Sequence, residues 1–429
     1  MKSIRSKDIW QNGLALFALF FGAGNLMLPP ALGVNSGAQW YWVVFGFIIT
    51  GVVIPILGIF AHANVQGTLY DLGKKVSPWF SHLFCVIIYL IAITLPSPRT
   101  ASFTYEMTIA PFFEIDSWVC SLVYFGLVFL FVMNRSKILS IIGKFLTPII
   151  VLILLFILFK TFFDTSENLP DKLVKNPFSL GFIEGYQTFD AIGGVVVGAV
   201  IVITLNLKGF TSYHAKKQLI FKSGLIAGIG LLMIYTGLIF CGAHFSNAIS
   251  EGTSRPDILS QISNLTLGNL GASFLSVLVA LACFTTAVGI VTGASDYAKS
   301  LFNDSRQAYV ITAFIGCVLG VILGSYSVRF IIDIAVPVLM LIYPVTIVLI
   351  LLNNLNLKWA SPFIFKAVII TTLLFSLPDF LSVLIENETL DNIIHFIPFG
   401  SMQLGWVLPS VLVFVFCKLL ERSVWTKSN

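Results

Sequence analysis

The sequence predicts an all-α integral membrane protein with about twelve transmembrane helices, ten in a five-plus-five inverted repeat and two peripheral. Three observations lead there. The composition is 57% hydrophobic and 10% charged, where a soluble domain carries roughly 25% charged residues. Apolar stretches long enough to cross a bilayer, about 20 residues each, recur along the whole chain. Two of them, five spans apart, are interrupted by glycine and polar residues. Interruptions at matching places in two halves are the sequence mark of discontinuous helices around a bound solute.

The first interruption is Phe21-Gly22-Ala23-Gly24-Asn25-Leu26, followed by Pro29-Pro30. Glycine costs about 1 kcal/mol relative to alanine in a helix, and each proline removes a backbone donor. In hydrocarbon such backbone is tolerated only where protein or a polar cavity satisfies it. The basic start Met1-Lys2-Ser3-Ile4-Arg5 runs into this break without a small-residue cleavage site, so no cleaved signal peptide is expected.

Taken in order, spans are expected near 9–33, 41–63, 79–110, 117–133, 138–160 and 178–205, then 220–243, 271–298, 307–325, 328–352, 361–384 and 399–420. Repeat one would occupy about 8–163, repeat two about 178–353, and the peripheral helices about 361–420. The connections near 161–177 and 244–270 are too short for a soluble module, so one membrane domain is expected, without room for a nucleotide-driven engine. With both termini inside, nineteen of the 25 basic residues fall on the cytoplasmic side, five outside, and Arg99 within a span. That asymmetry selects the orientation. Trp10, Trp40, Trp42, Trp79, Trp118 and Trp359 fall at span ends, where indoles prefer the interface.

The second interruption is Gly185-Tyr186-Gln187-Thr188-Phe189-Asp190 in the sixth span. Small residues in a membrane helix also serve close packing, but two breaks in corresponding spans favour a binding site. In the eighth span, Thr285-Thr286 has two readings: oxygen ligands for a hard cation, or hydroxyls bonded to carbonyls one turn back. Asp190 likewise could hold an ammonium, tune a cation site, carry a proton, or form a structural ion pair with Arg99. For Arg99 the structural pair is the expected role. The six cysteines and five histidines make no metal-type spacing, and no nucleophile–base constellation marks an enzyme. No nucleic-acid partner is expected.

Phe21-Gly22-Ala23-Gly24-Asn25-Leu26 with Pro29-Pro30 and Leu32-Gly33 resembles the signature of the bacterial branched-chain amino acid:cation symporters. So do Pro98-Arg99-Thr100-Ala101, Glu184-Gly185-Tyr186-Gln187-Thr188-Phe189-Asp190-Ala191, Leu281-Ala282 with Thr285-Thr286-Ala287, and Val336-Pro337-Val338-Leu339 with Ile342-Tyr343-Pro344. The match runs nearly end to end. Met27-Leu28 and Ser97 depart from the pattern, which elsewhere has Ile-Phe and a bulkier apolar residue.

The resemblance implies the leucine-transporter fold, with a sodium ion between the unwound part of helix one and helix eight. Its ligands would be the carbonyls of Ala18, Phe21 and Ala282 and the hydroxyls of Thr285 and Thr286. It also implies a branched-chain amino acid as cargo, bound by Gly22, Ala23, Gly24, Asn25, Tyr186, Phe189 and Asp190. The carboxylate would lie at the helix start near Gly24-Asn25, and the aliphatic side chain against Phe189. The expected function is Na⁺-coupled import of leucine, isoleucine and valine by alternating access, with no cofactor besides the coupling ion, in a bacterial inner membrane. Alternatives are another neutral amino acid or proton coupling on the same fold. A channel or receptor is a more distant reading, since no pore-like charge ring is present.

Overall fold

The computed structural model describes residues 4–134, 137–163, 169–207, 209–210, 212–250, 252–356, 359–385 and 387–427. Within helices, the side chains of Ala23 and of residues 137–145, 147, 197, 199, 200, 203, 204, 207 and 422–427 lie outside the description. Among the described residues the regular elements are all helical, with no strand.

The first span is two helices, α1 (Ser6–Phe20) and α2 (Ala23–Ser36), separated by Phe21 (φ −79, ψ 84) and the extended Gly22. Pro29 and Pro30 sit inside α2 and do not end it. The second span is α3 (Trp40–Ile48), a π turn over Ile49–Val53, and α4 (Ile54–Val65). A short α5 (Leu69–Gly73) leads to the third span, α6 (Pro78–Thr94) and α7 (Pro96–Thr104), ending in a second π turn, Tyr105–Ile109. Then come α8 (Ser117–Asn134) and α9 (Lys137–Phe163). The sixth span repeats the break of the first: α10 (Pro177–Glu184), a 3-10 turn over Gly185–Thr188, and α11 (Asp190–Leu207).

The remainder is α12 (Tyr213–His244), α13 (Arg255–Leu301), α14 (Arg306–Gly324), α15 (Val328–Asn354), α16 (Pro362–Leu384), α17 (Glu388–Phe396) and α18 (Val407–Lys427). Eight helical stretches among the described residues are long and apolar enough to cross a membrane, and Pro148–Phe163 is a shorter apolar helix. Exposed Phe45, Leu90, Leu130, Phe156, Ile229 and Leu374 clothe the outside, a surface suited to lipid.

Two expectations need correction. The stretch 244–270 is not mainly a connection: α13 starts at Arg255, with the Ser254 hydroxyl accepting from the Asp257 N–H, and bends at Gly268 (φ +73) before spanning. The last span starts at Val407 and not near 399, because Gly400–Met402 form a 3-10 turn between Phe399 and Gln403, both left-handed.

Packing follows the repeat. α1 and α2 pack on α12, while α10 packs on α3 and α11 on α4. Span one therefore leans on span seven as span six leans on span two, which is the reciprocal pairing that two interlocked inverted halves produce. Glycine permits the closest approaches. A Cβ at Gly33 would overlap the Ile239 carbonyl of α12, and one at Gly46 the Phe178 carbonyl of α10.

Candidate substrate and ion site

The first break faces α13 at Thr286, and the second presents the Gln187 carbonyl beside Gly24 and Arg99. The Gly22 N–H donates to the Phe20 carbonyl at 2.9 Å, not one turn back to Ala18. The Asn25 N–H donates to the Gly22 carbonyl at 3.2 Å, not to Phe21. The carbonyls of Ala18 and Phe21 thus lose their regular helical donors. Across from them lies Thr286, whose Oγ1 would be 3.6 Å from a Cβ built on Gly22.

The hydroxyls of Thr285 and Thr286 donate to the Ala282 carbonyl at 2.9 and 3.0 Å. This is the back-bonded geometry of the structural reading. It also gathers three of the five expected ion ligands onto one helical turn, with Thr286 facing the break that carries the other two. A hydroxyl that donates to a carbonyl keeps its lone pairs for a cation, so the donor set fits a hard ion. Among the described residues no cluster of His, Cys, Asp or Glu could hold a transition metal.

The second cluster joins spans one, six and seven. The Asn25 amide donates to the Phe20 carbonyl (2.7 Å) and to Asp190 Oδ2 (2.8 Å), and also contacts the Tyr235 hydroxyl. Tyr235 in turn donates to Asp190 Oδ2 at 2.9 Å. Asn25 and Asp190 are both buried. Asp190 opens α11; its N–H donates to Thr188 Oγ1 (3.1 Å), whose own hydroxyl donates to the Gly185 carbonyl (2.8 Å).

Between them Phe189 is held in the left-handed region (φ 61, ψ 12). That conformation costs a bulky L-residue roughly 1–2 kcal/mol and persists only where its surroundings impose it. Here the Arg99 guanidinium lies 4.9 Å from the ring centroid, and Tyr186 stacks on Tyr343 at 4.4 Å. Spans three and ten therefore clamp the sixth-span break.

The expected ion pair between Arg99 and Asp190 is not formed. Arg99 Nη1 instead donates to the Gln187 carbonyl at 2.7 Å, while Asp190 is taken up by Asn25 and Tyr235. The break in the sixth span presents a carbonyl that the guanidinium can reach, and the carboxylate already has two neutral donors. Gly24 sits beside the same guanidinium, close enough that a Cβ would overlap Nη2. Ala23 begins α2, and its side chain lies outside the described residues.

Three participants escaped sequence reasoning. Tyr235 interrupts an apolar span only as Tyr235-Thr236, a faint signal. Gln187 contributes a carbonyl to Arg99 and its side chain to Arg255 (3.2 Å). Arg255 forms a two-pronged ion pair with Glu184 at 2.8 and 3.1 Å, a contact 71 residues apart in sequence that no local pattern announces.

Comparison with known proteins returns the same organisation. A family model described as "Branched-chain amino acid transport protein" matches residues 5–424. The branched-chain amino acid permease BraB of Bacillus subtilis is 34% identical over 422 residues, 96% of this chain and 94% of the relative. The branched-chain amino acid transport system 2 carrier protein of Pseudomonas aeruginosa is 30% identical over 430 residues, 98% of each. Among solved structures, the inward-facing conformation of Mhp1 superposes with TM-score 0.62 at 10% identity, covering 97% of this chain and 91% of that one. A Na⁺-coupled sialic acid symporter gives 0.59 at 14% identity, covering 96% and 90%. These two likenesses establish the leucine-transporter-like fold.

Proposed function

The chain belongs to the branched-chain amino acid transport protein family, and from that premise we propose that it imports leucine, isoleucine and valine by alternating access, coupled to Na⁺. It is a multi-pass membrane transporter and not an enzyme. The observation that carries the coupling is the freed pair of carbonyls at Ala18 and Phe21, faced by Thr286 across the break. Oxygen-only donors with a missing helical partner suit an alkali cation better than a softer metal. The substrate's charged ends would lie between the two breaks, with Tyr186 and Phe189 supplying apolar wall. A proton-coupled reading draws on Asp190, a buried carboxylate whose hydrogen-bond partners are the neutral Asn25 and Tyr235.

Thr285→Ala and Thr286→Ala test the ion site. Each removes one oxygen from a partly dehydrated cation. A loss of about 1–3 kcal/mol in cation binding should raise the Na⁺ concentration for half-maximal uptake roughly five- to 150-fold. The measurement is uptake against external Na⁺ at fixed protein level; an unchanged midpoint in both variants assigns the pair to back-bonding alone.

The proposed setting is a bacterial cytoplasmic membrane with both termini inside, from the nineteen-to-five basic asymmetry. Lys208, at the start of one cytoplasmic connection, lies outside the described residues, but Lys217 and Ser250 are both exposed. Single cysteines at Lys217 and Ser250 in a cysteine-free background should label from opposite sides of intact cells, Ser250→Cys from outside. Labelling of both from outside contradicts the topology.

A further inference from the structure

Arg99 is only 3% exposed, yet among the described residues no carboxylate lies within ion-pair distance of it. Its Nη1 donates to the Gln187 carbonyl (2.7 Å), its face covers Phe189, and Nε has no hydrogen-bond partner. Enclosing a guanidinium without a contacting carboxylate is costly in any low-dielectric interior, and more so in a membrane helix. The unspent donors point to one place. Nη2 lies against Gly24, the second residue of α2. The first N–H groups of a helix have no intrahelical acceptor and carry the positive end of its dipole.

A buried cation with no carboxylate in contact among the described residues and a helix N-terminus therefore converge. We propose that Arg99 binds the carboxylate of the transported amino acid, sharing it with the first N–H groups of α2. The proposal rests on the reading of this protein as an amino acid carrier and adds the residue that supplies the counter-charge. The planar guanidinium matches a carboxylate through two parallel N–H donors. Its hydrogen bond to Gln187 and its contact with Phe189 hold that fork to the sixth-span break. Binding of the anion thereby ties spans one, three and six around one substrate group. It also explains why position 24 carries no side chain: a Cβ would displace the guanidinium from the helix start.

The assignment demands an acid. The test is equilibrium binding to the purified full-length protein in lipid nanodiscs at saturating Na⁺, with leucine, leucinamide, 3-methylbutylamine and glycine as competitors of labelled leucine. The wild type should prefer leucine over leucinamide by about a hundredfold or more, because a site built for a polar group strongly rejects the analogue that lacks it. Arg99→Gln should cut that preference to below about tenfold, with leucine weakened and 3-methylbutylamine changed by less than about threefold. Arg99→Lys should recover part of it, since an ammonium restores charge without the fork.

The leucine-to-glycine ratio reads the branched-chain assignment separately and should survive in all variants. Equal loss of acid and amine in Arg99→Gln overturns the proposal while leaving that ratio, and the cargo reading, intact. A wild type that binds leucinamide as tightly as leucine overturns it whatever the variants do. Leucine-to-glycine ratios near one in the wild type overturn the cargo reading alone, provided the acid-to-amide preference persists.

Discussion

Asn25→Leu is expected to reduce leucine uptake by at least about a hundredfold while the protein still reaches the membrane. Asn25 is the polar hub between the two breaks: its amide serves the Phe20 carbonyl and Asp190 and touches the Tyr235 hydroxyl. Leucine has similar bulk but no donor. The Phe20 carbonyl would then keep only the Gly22 N–H at the end of α1, and Asp190 would depend on Tyr235 alone. Two buried hydrogen bonds are lost at once and an apolar side chain is set against the Asp190 carboxyl, together about 3 kcal/mol. Tyr235→Phe removes a single donor from Asp190 and should cost nearer tenfold, in line with about 1–1.5 kcal/mol for one hydrogen bond. Initial rates normalised to membrane-inserted protein distinguish the cases. Near-normal uptake by Asn25→Leu shows that the cluster is structural ornament on a site located elsewhere.

Gly33→Ala is expected to produce a large loss of stability. The added Cβ would overlap the Ile239 carbonyl oxygen, and it would also come within 2.6 Å of the Ala243 nitrogen and 2.9 Å of the Gly242 carbonyl carbon. All three are backbone atoms of α12, so no rotamer change relieves them and α2 must move away. Overpacking typically costs about 1–3 kcal/mol, and a clash with rigid backbone belongs at or above the top of that range. Gly126→Ala in α8 is the control: its Cβ meets nothing within 4 Å, and alanine is the better helix former by about 1 kcal/mol. Melting of the purified proteins should fall sharply for Gly33→Ala and hold or rise for Gly126→Ala. Equal melting temperatures would mean that α2 and α12 are not locked by this contact.

Both variants probe features that differ in how far the sequence announces them. The breaks are legible because Gly22, Gly24 and Asn25, like Gly185 and Asp190, stand in otherwise apolar runs, where backbone disruption needs a reason. The span limits are legible too, except where helical propensity and hydropathy diverge. Residues 255–267 are helical without being apolar, and 399–406 are apolar without forming a long helix. What the sequence hides is which polar groups meet. Arg99 and Asp190 carry opposite charges, so pairing them is the natural inference. The fold instead gives each a neutral partner, Gln187 and Tyr235, from elements distant in sequence. A two-letter motif such as Thr285-Thr286 likewise cannot report that it faces Gly22; only the packing of α13 against the first span does that.

Coupling is the claim on which the ion site, the breaks and the cargo all converge. The most direct measurement is uptake of labelled leucine into proteoliposomes containing the full chain, with an inward Na⁺ gradient compared against matched K⁺ and proton gradients. Transient accumulation above equilibrium, driven by Na⁺ alone and competed by isoleucine and valine, is the expected result. Accumulation driven equally by a proton gradient without Na⁺, or leucine entry that never exceeds equilibrium under a maintained Na⁺ gradient, would contradict it.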